Sequence, residues 1–365
     1  MKTYFAPLAL ILFFSFFAVP VAFPQSGDPK FDAIKARHDR GDPVTPEERS
    51  YAQAFMAHHN QQGAAPNPPR DSTGCVPLSE LGAGDYHGEK GGLYPDGGAT
   101  PPPVHEAAGL KLARTIVPLD TDGHPSASGK IVLITCGMSN TTMESQAFKR
   151  LASADHGLNP QLVIVDGAQG GQTAAITAKP DAKYWSVDRE RLAAAGLTAQ
   201  QVQVVWLKEA NARPVQPFPI EAKKLQSDLA ATVRNLHDQF PNLKIAYLSS
   251  RIYGGYATTP LNPEPHAYET GFAVKWLIAD QIGGAPELNF DPAKGAVRAP
   301  WLVWGAYLWT DGLKGRKDGL VWKAEDCASD GTHPSETGRM KVGELLMKFF
   351  KSDLTAQAWF LKPAP

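Results

Sequence analysis

Short apolar runs alternate with longer amphipathic stretches along the chain from residue 131 onward. The runs are rich in β-branched and aromatic residues, which is typical of buried parallel strands. They cover residues 131–135, 162–166, 202–207, 244–249 and 301–304, and a further strand is predicted at 113–119. The amphipathic stretches predict a helix that begins near Thr142 and helices at 187–195, 220–239 and 267–281, with a last helix that ends at residue 351 and has Ser335 as its N-cap.

This alternation predicts an α/β fold, a three-layer αβα arrangement in which helices cover both faces of a parallel sheet. Sheets of this kind bind ligands at the carboxyl ends of their strands. Ser139, Gly171 and Asn211 all follow predicted strands. We therefore expect these three residues to lie at the same edge of the sheet.

Ser139 lies where the first of these strands ends and a helix begins. The free backbone N–H groups and the dipole at a helix N-terminus can stabilise developing negative charge, so this is a suitable position for a nucleophile. A serine at a helix start is also a common N-cap, and the serine alone does not separate the two interpretations.

A second motif, Asp330-Gly331-Thr332-His333-Pro334, precedes the last predicted helix. An aspartate three residues before a histidine can accept a hydrogen bond from Nδ1–H, which leaves Nε2 free to deprotonate a serine. The same residues could also be a turn before a helix. The combination with Ser139 favours a Ser139, His333 and Asp330 triad.

With these motifs the chain resembles the SGNH (GDSL-like) hydrolases, a family of esterases, lipases and carbohydrate deacetylases on a flavodoxin-like α/β fold. The first family block is similar to Gly137-Met138-Ser139-Asn140 and the last to the Asp330–Pro334 motif, over a resemblance that covers residues 129–350. Residues 166–173, DGAQGGQT, are similar to the second block. The resemblance implies that the backbone N–H groups of Ser139 and Gly171 bind the oxyanion.

The third block departs from the family pattern. The family usually shows Gly-x-Asn-Asp after a strand, whereas here the strand is followed by Lys208-Glu209-Ala210-Asn211. Asn211 is the best candidate for the side-chain oxyanion donor. The side chain of Lys208 and the backbone amides of Glu209 and Ala210 are the competing donors.

Aromatic residues and an arginine cluster after the last two strands of the predicted sheet. Such side chains can form a stacking surface for sugar rings or aryl esters, although they are as often part of the core. The candidate substrate-binding residues are Arg251, Tyr253, Trp304 and Trp309.

The beginning of the chain has the layout of a secretory signal peptide, predicted at residues 1–25, with an uncleaved membrane anchor as the alternative. Residues 26–74 predict a polar helical extension and a linker, with Thr45 as an N-cap before Pro46. A loop-rich arm then opens the catalytic domain at 75–365. The protein is therefore expected to be secreted or periplasmic, with no stable membrane association after removal of the signal.

Composition supports a globular enzyme, since 43% of residues are hydrophobic, 20% are charged and the net charge is −1. This balance gives no electrostatic reason to expect nucleic acid as a partner. We predict a disulfide between Cys75 and Cys327, with Cys136 buried and reduced; three free thiols are the alternative. No histidine or cysteine spacing indicates a metal site, and no cofactor is expected.

The sequence thus favours an exported serine esterase that acts on a small-molecule or carbohydrate ester, such as an O-acetyl group. The departure of the third block, together with Met138 where the first family block often has an aspartate, leaves a second interpretation open, a non-catalytic SGNH-like module that binds glycan. The sequence does not identify the acyl group, the alcohol or the oligomeric state.

Overall fold

The computed structural model describes residues 30–31, 33–34, 37, 43–52 and 68–363. The chain divides into two units, Met1–Gln62 and Gly63–Pro365. The predicted signal peptide lies outside the described residues, and so do residues 63–67 of the predicted linker. In the part of the chain that is described, no helix is long and apolar enough to cross a membrane.

In the first unit, residues 46–52 are helical and Thr45 caps the helix start. Thr45 Oγ1 accepts a hydrogen bond of 3.2 Å from the Glu48 N–H, and Glu48 Oε2 accepts one of 3.0 Å from the Thr45 N–H. This reciprocal pair is a capping box. The predicted cap is therefore confirmed, and Arg37 adds an ion pair to Glu48.

The second unit is organised around a parallel sheet of five strands. The strands of this unit are β1 (Asp85–Tyr86), β2 (Glu89–Lys90), β3 (Ile131–Gly137), β4 (Leu162–Asp166), β5 (Val202–Lys208), β6 (Ile245–Leu248) and β7 (Trp301–Trp304). β1 and β2 form a separate antiparallel ladder, and the sheet has the order β4-β3-β5-β6-β7. This is the flavodoxin-like strand order, so the predicted fold class is confirmed.

Helices connect the strands and cover the sheet. They are α1 (Leu78–Leu81), α2 (Pro103–Ala113), α3 (Ser139–Ser153), α4 (Ala174–Thr177), α5 (Lys183–Ala194), α6 (Ile220–Gln239), α7 (His266–Ile282), α8 (Glu336–Ser352) and α9 (Gln357–Phe360). α3 packs against α8, and α6 packs against α7. Because crossovers between parallel strands are right-handed, the strand order implies that the first pair lies on one face of the sheet and the second pair on the other.

The core strands have no solvent-facing side, because every residue of β3, β5, β6 and β7 is buried. This explains their continuous apolar character, since a strand covered by helices on both faces cannot alternate with polar residues. β3 pairs with both β4 and β5, and Gly137 at the end of β3 is opposite Lys208 at the end of β5. The chain leaves β3 toward β4 and later leaves β4 toward β5, so the strand order reverses between β3 and β5.

The strand predicted at 113–119 is wrong. Residues up to Ala113 belong to α2, which begins with Pro103 at its first position. Beyond it, Leu119 makes only isolated bridges, to Pro125 and to Lys130. Pro118 carries no N–H group for a ladder, which limits pairing in this segment.

The N-terminal arm of the second unit, residues 68–98, runs over the loops that follow β6 and β7. Asp311 anchors it by accepting hydrogen bonds from the Ser72 hydroxyl at 2.5 Å, from the Thr73 N–H at 2.6 Å and hydroxyl at 2.8 Å, and from the Gly74 N–H at 3.0 Å. Farther along the arm, the carbonyl oxygen of Leu93 accepts the indole N–H of Trp304 at 2.6 Å. The arm thereby covers aromatic side chains at the carboxyl end of the sheet.

Candidate active site

The carboxyl end of β3 presents Ser139 at the first position of α3, with Met138 as the N-cap. Gly137 lets the strand end close to β5, because a Cβ atom at this position would lie 2.4 Å from the Lys208 carbonyl oxygen. Its N–H donates to the Tyr184 hydroxyl at 3.0 Å, and its carbonyl accepts the Gln169 N–H at 2.9 Å. The backbone that precedes Ser139 is therefore held on both sides.

Ser139, His333 and Asp330 lie in a hydrogen-bonded row. Ser139 Oγ is 2.7 Å from His333 Nε2, and His333 Nδ1 is 2.6 Å from Asp330 Oδ2. Since the carboxylate accepts the Nδ1 proton, neutral His333 presents an unprotonated Nε2 to the serine. The arrangement can therefore remove the proton from the Ser139 hydroxyl.

Asp330 is held as a carboxylate by its own loop. Its Oδ1 atom accepts the backbone N–H of Thr332 at 3.0 Å and that of His333 at 2.9 Å. Partial burial opposes ionisation, but the His333 side chain and these two N–H groups outweigh it and lower the Asp330 pKa to about 2. The group that orients His333 is therefore charged at any ordinary working pH.

The loop that carries His333 is fixed to the rest of the site through the Thr332 carbonyl oxygen. This atom accepts a hydrogen bond of 2.8 Å from Asn140 Nδ2, next to the nucleophile on α3. It also accepts one of 3.3 Å from Arg251 Nη2. Two donors from separate elements thus determine the position of the residue that precedes His333.

The loop after β4 passes beside the nucleophile. A Cβ atom on Gly170 would lie 3.9 Å from Ser139 Cβ, which makes Gly170 a close neighbour of the serine. The next residue, Gly171, is exposed and has a φ of +75°, a conformation that favours glycine. Within residues 68–363, its N–H group has no hydrogen-bond acceptor. The predicted oxyanion donor Gly171 thus follows Gly170 in the chain, and its N–H is unpaired in this part of the protein.

Asn211 follows β5 and is 9% exposed. Its Oδ1 atom accepts the Ala175 N–H at 3.0 Å, and its Nδ2 atom donates to Asp228 Oδ2 at 2.6 Å. These partners fix which end of the amide carries the nitrogen. One Nδ2 proton is thereby committed to Asp228, and the other has no acceptor among the residues that the structure describes.

Lys208 does not compete with Asn211 as an oxyanion donor. Its Nζ atom is buried and donates to both carboxylate oxygens of Glu144, at 2.8 and 2.7 Å. Burial lowers the Lys208 pKa to about 8, although the carboxylate of Glu144 opposes the shift. This buried ion pair ties β5 to α3 beneath the nucleophile.

The four residues predicted to bind substrate do not form a binding surface, because all are at least 97% buried. Tyr253 donates its hydroxyl to the Arg70 carbonyl at 2.6 Å, and Trp309 donates its indole N–H to Glu264 at 2.7 Å. Trp304 lies beneath Leu93, and Arg251 holds the His333 loop as described above. The N-terminal arm covers these aromatic strand exits, so they pack in the interior instead of facing solvent.

The predicted Cys75–Cys327 disulfide is absent, and all three cysteines are free thiols. Cys75 comes directly after Gly74, the last arm residue that donates to Asp311. Its charged neighbours are Glu264, Asp311 and Glu269. Cys327 pairs with Pro334 in a β-bridge and is surrounded by Asp326, Arg251, Asp330 and Lys341. The two thiols therefore lie in different environments.

Among the described residues there is no group of three or more histidine, cysteine or acidic side chains placed to hold a metal ion.

Two residues of this site were missed by the sequence reasoning. No local pattern gives the side chain of Asn140 a role, although it donates a hydrogen bond to the loop of His333. Glu144 lies near the start of α3 on its buried face, where a carboxylate requires a partner. An acidic residue at a core position of an amphipathic helix is the signal that could have identified the Glu144–Lys208 pair.

No family model and no curated protein sequence matches the chain. Several solved structures resemble it, among them three at 12 to 13% identity. The lipopolysaccharide acetyltransferase periplasmic domain of Salmonella ser. Paratyphi A is 12% identical with a TM-score of 0.33, over 68% of this chain and 97% of that one. A gut microbial diltiazem-metabolizing enzyme, BT4096, is 12% identical with a TM-score of 0.32, over 63% and 48%. The salicylyl-acyltransferase SsfX3 from a tetracycline biosynthetic pathway is 13% identical with a TM-score of 0.32, over 63% and 56%. At these scores the likenesses establish neither a family nor an activity for this chain.

Proposed function

We propose that this protein is an exported serine esterase that hydrolyses a carboxylic ester of a small molecule or a carbohydrate. The observation that carries the proposal is the row of Ser139 Oγ, His333 Nε2, His333 Nδ1 and Asp330 Oδ2, joined at 2.7 and 2.6 Å. A serine used only as a helix cap has no need of a histidine oriented by a carboxylate.

In this proposal Ser139 Oγ attacks the ester carbonyl carbon while His333 Nε2 takes the hydroxyl proton. The negative charge that develops on the carbonyl oxygen is stabilised by the N–H groups of Ser139 and Gly171 and by Asn211 Nδ2. Collapse of the tetrahedral intermediate releases the alcohol, which receives the proton from His333. Water then attacks the acyl-serine by the same route and releases the carboxylic acid.

The environment of the three residues suits this role. Ser139 is partly exposed, so an ester can reach it, whereas Gly137 and Asn140 on either side of it in the chain are buried. The Asp330 pKa of about 2 keeps a negative charge behind His333, and this charge stabilises the imidazolium that forms during attack. Export from the cytoplasm rests on the sequence of residues 1–25 and is part of the proposal.

The test is hydrolysis of p-nitrophenyl acetate and p-nitrophenyl butyrate by the purified protein and by Ser139→Ala. We expect measurable turnover that falls at least about 10³-fold in the variant, with an unchanged circular dichroism spectrum. Ser153→Ala is the matched control, since this exposed hydroxyl also lies on α3 and donates to the Lys149 carbonyl in its own helix. Equal activity of Ser139→Ala and the parent protein would refute the assignment.

A further inference from the structure

A small pocket opens beside Asn211, between the loop after β5 and the first turns of α6 and α7. One wall is apolar and includes Ala222 and Leu225. The other groups that line it are polar: Asn211, Glu221, Asn262, His266, Glu269 and Thr270. Because the proposed oxyanion donor Asn211 forms part of the wall, a group bound here would lie next to the reacting ester.

His266 is held in one orientation by two other side chains. Its Nδ1 atom is 3.1 Å from Glu269 Oε2, and the Tyr86 hydroxyl donates to Glu269 Oε1 at 3.0 Å. Both oxygens of the buried Glu269 carboxylate are thus occupied. When His266 donates its Nδ1 proton to this carboxylate, Nε2 of an uncharged ring is left as a hydrogen-bond acceptor.

Asn262 adds an unsatisfied acceptor. It is 4% exposed, its Nδ2 atom donates to the Asn211 carbonyl at 3.2 Å, and its Oδ1 atom has no protein partner. A buried carbonyl oxygen without a donor costs free energy, and a ligand that supplies a donor would remove that cost. The same residue therefore touches Asn211 and needs a donor.

The charge of the pocket limits what can enter. Glu221 is partly buried, which opposes its ionisation, but the N–H groups of Val215 and Gln216 outweigh this and lower its pKa. The lowered pKa favours the carboxylate form of Glu221, and Glu269 is a second acidic side chain in the lining. Acidic side chains in a small pocket disfavour an anionic ligand, whereas the acceptor atoms favour a neutral group with O–H donors.

From this arrangement we propose that the pocket binds the alcohol part of the ester and selects a neutral alcohol with a hydroxyl group near the ester oxygen. His266 Nε2 and Asn262 Oδ1 accept the O–H protons, and Leu225 contacts the carbon chain. His266 is a specificity-determining residue in this view, and Tyr86 and Glu269 are positioning residues. The inference rests on the proposed esterase function, because it assigns the leaving alcohol of that reaction.

The experiment compares kcat/KM for three acetate esters of similar size: 2,3-dihydroxypropyl acetate, propyl acetate and the anionic 3-acetoxypropanoate. We expect the hydroxylated ester to be preferred over propyl acetate by about 10-fold or more, the effect of one or two hydrogen bonds, and the anionic ester to be the poorest. In His266→Phe the kcat/KM for 2,3-dihydroxypropyl acetate divided by that for propyl acetate should fall to about one, because the variant lacks an acceptor for the hydroxyl group of the ester. The ratio does not depend on the fraction of protein that is folded.

His237→Phe is the matched control, since His237 also faces a neighbouring carboxylate, Asp238, but lies outside the pocket. It should keep the full preference. A preference for propyl acetate or 3-acetoxypropanoate in the parent protein, or a ratio that His266→Phe leaves unchanged, would overturn the proposal.

A binding measurement on Ser139→Ala separates failure of the pocket proposal from failure of the esterase proposal. Saturation-transfer NMR records contact of 2,3-dihydroxypropyl acetate and propyl acetate with this variant, and with the Ser139→Ala, His266→Phe double variant. If the parent protein hydrolyses none of the esters, selective contact with the hydroxylated ester that depends on His266 still supports the pocket. Equal contact with both esters counts against it, whatever the catalytic result.

Discussion

Asn140 Nδ2 donates a hydrogen bond of 2.8 Å to the carbonyl oxygen of Thr332, although the two residues are 192 positions apart. Each is the immediate chain neighbour of a proposed catalytic residue, Ser139 in one case and His333 in the other. The bond therefore links the nucleophile and the base through the backbone beside them. The bond is buried, so water does not compete for its donor or its acceptor.

Loss of this link should reduce turnover more than stability. In Asn140→Ala, the Thr332 carbonyl oxygen keeps the Arg251 hydrogen bond but loses the shorter of its two, and a shift of the base by a fraction of an ångström should lower kcat by up to about 100-fold with little change in KM. Ser145→Ala is the control, because it also removes a buried hydrogen bond of α3, to Thr135, but none to the loop. Ester hydrolysis and thermal melting of both variants decide the matter; equal losses of kcat in the two would argue against a positioning role.

Asn211→Ala should lower kcat about 100-fold to 1000-fold, the effect of removing one oxyanion donor. The matched variant is Asp228→Ala, which removes the partner that orients the amide but leaves the amide itself. We expect it to retain more activity than Asn211→Ala. Turnover should be measured together with the melting temperature, since Asn211 also accepts the Ala175 N–H. A stable Asn211→Ala enzyme with near-normal turnover would remove Asn211 from the site.

Asp330→Asn should lower kcat roughly 10⁴-fold, because an amide N–H facing Nδ1 forces the proton of His333 onto Nε2. The amide oxygen can still accept the N–H groups of Thr332 and His333, so the loop should fold. Assay of p-nitrophenyl acetate hydrolysis near neutral pH checks this, and a loss below about 10-fold would contradict the tautomer argument.

The same variant should alter the pH dependence of stability. The Asp330 pKa is about 2 in the folded protein against an ordinary value of 3.8, so between these values the unfolded chain holds a proton that the folded one lacks. The free energy of unfolding gained from this group is therefore present above about pH 4 and is lost as the pH falls through about 2. Urea unfolding of both proteins should show a stability difference that narrows from pH 5 to pH 2. A difference that does not vary over this range would be inconsistent with the lowered pKa.

The Lys208–Glu144 pair predicts a non-additive effect on folding. Lys208→Met leaves a buried carboxylate without its cation and should cost about 3 to 5 kcal/mol, whereas Lys208→Met with Glu144→Leu should recover most of this loss. Denaturant unfolding of the single and double variants measures the coupling. Because Lys208 points to Glu144, ester hydrolysis per folded molecule should stay within a few-fold of the parent in the double variant. A loss of about 100-fold in the double variant would instead indicate that Lys208 donates to the oxyanion.

The fold was predictable because its strands are continuous apolar runs that need no distant information. Local spacing likewise suggested the pairing of Asp330 with His333, since both lie in one loop. The surroundings of the aromatic residues were not predictable, because they depend on contacts that are distant in the sequence. Whether Tyr253 faces substrate or core depends on Arg70, 183 residues away, and no local pattern reports such a contact.

The helix α2 was missed because its proline-rich start resembles a loop, although Pro103 occupies the first helical position, where a missing N–H is tolerated. The pocket beside Asn211 was also beyond local patterns. Its His266–Glu269 pair is three residues apart on α7, but the Tyr86 that completes it comes from β1, 183 residues from Glu269. Contacts across such separations are determined by the docked arm.

The four hydrogen bonds to Asp311 have a consequence for the order of folding. Their donors, Ser72, Thr73 and Gly74, precede Asp311 by 237 to 239 residues, so a ribosome completes the entire sheet before it supplies the acceptor. During synthesis the arm therefore lacks its Asp311 anchor when Tyr253 and Trp304 are made, although Arg70 and Leu93, their partners in the arm, already exist. The four-bond anchor forms among the last folding steps of this unit, and a nascent chain stalled before residue 311 has to hold the arm without it.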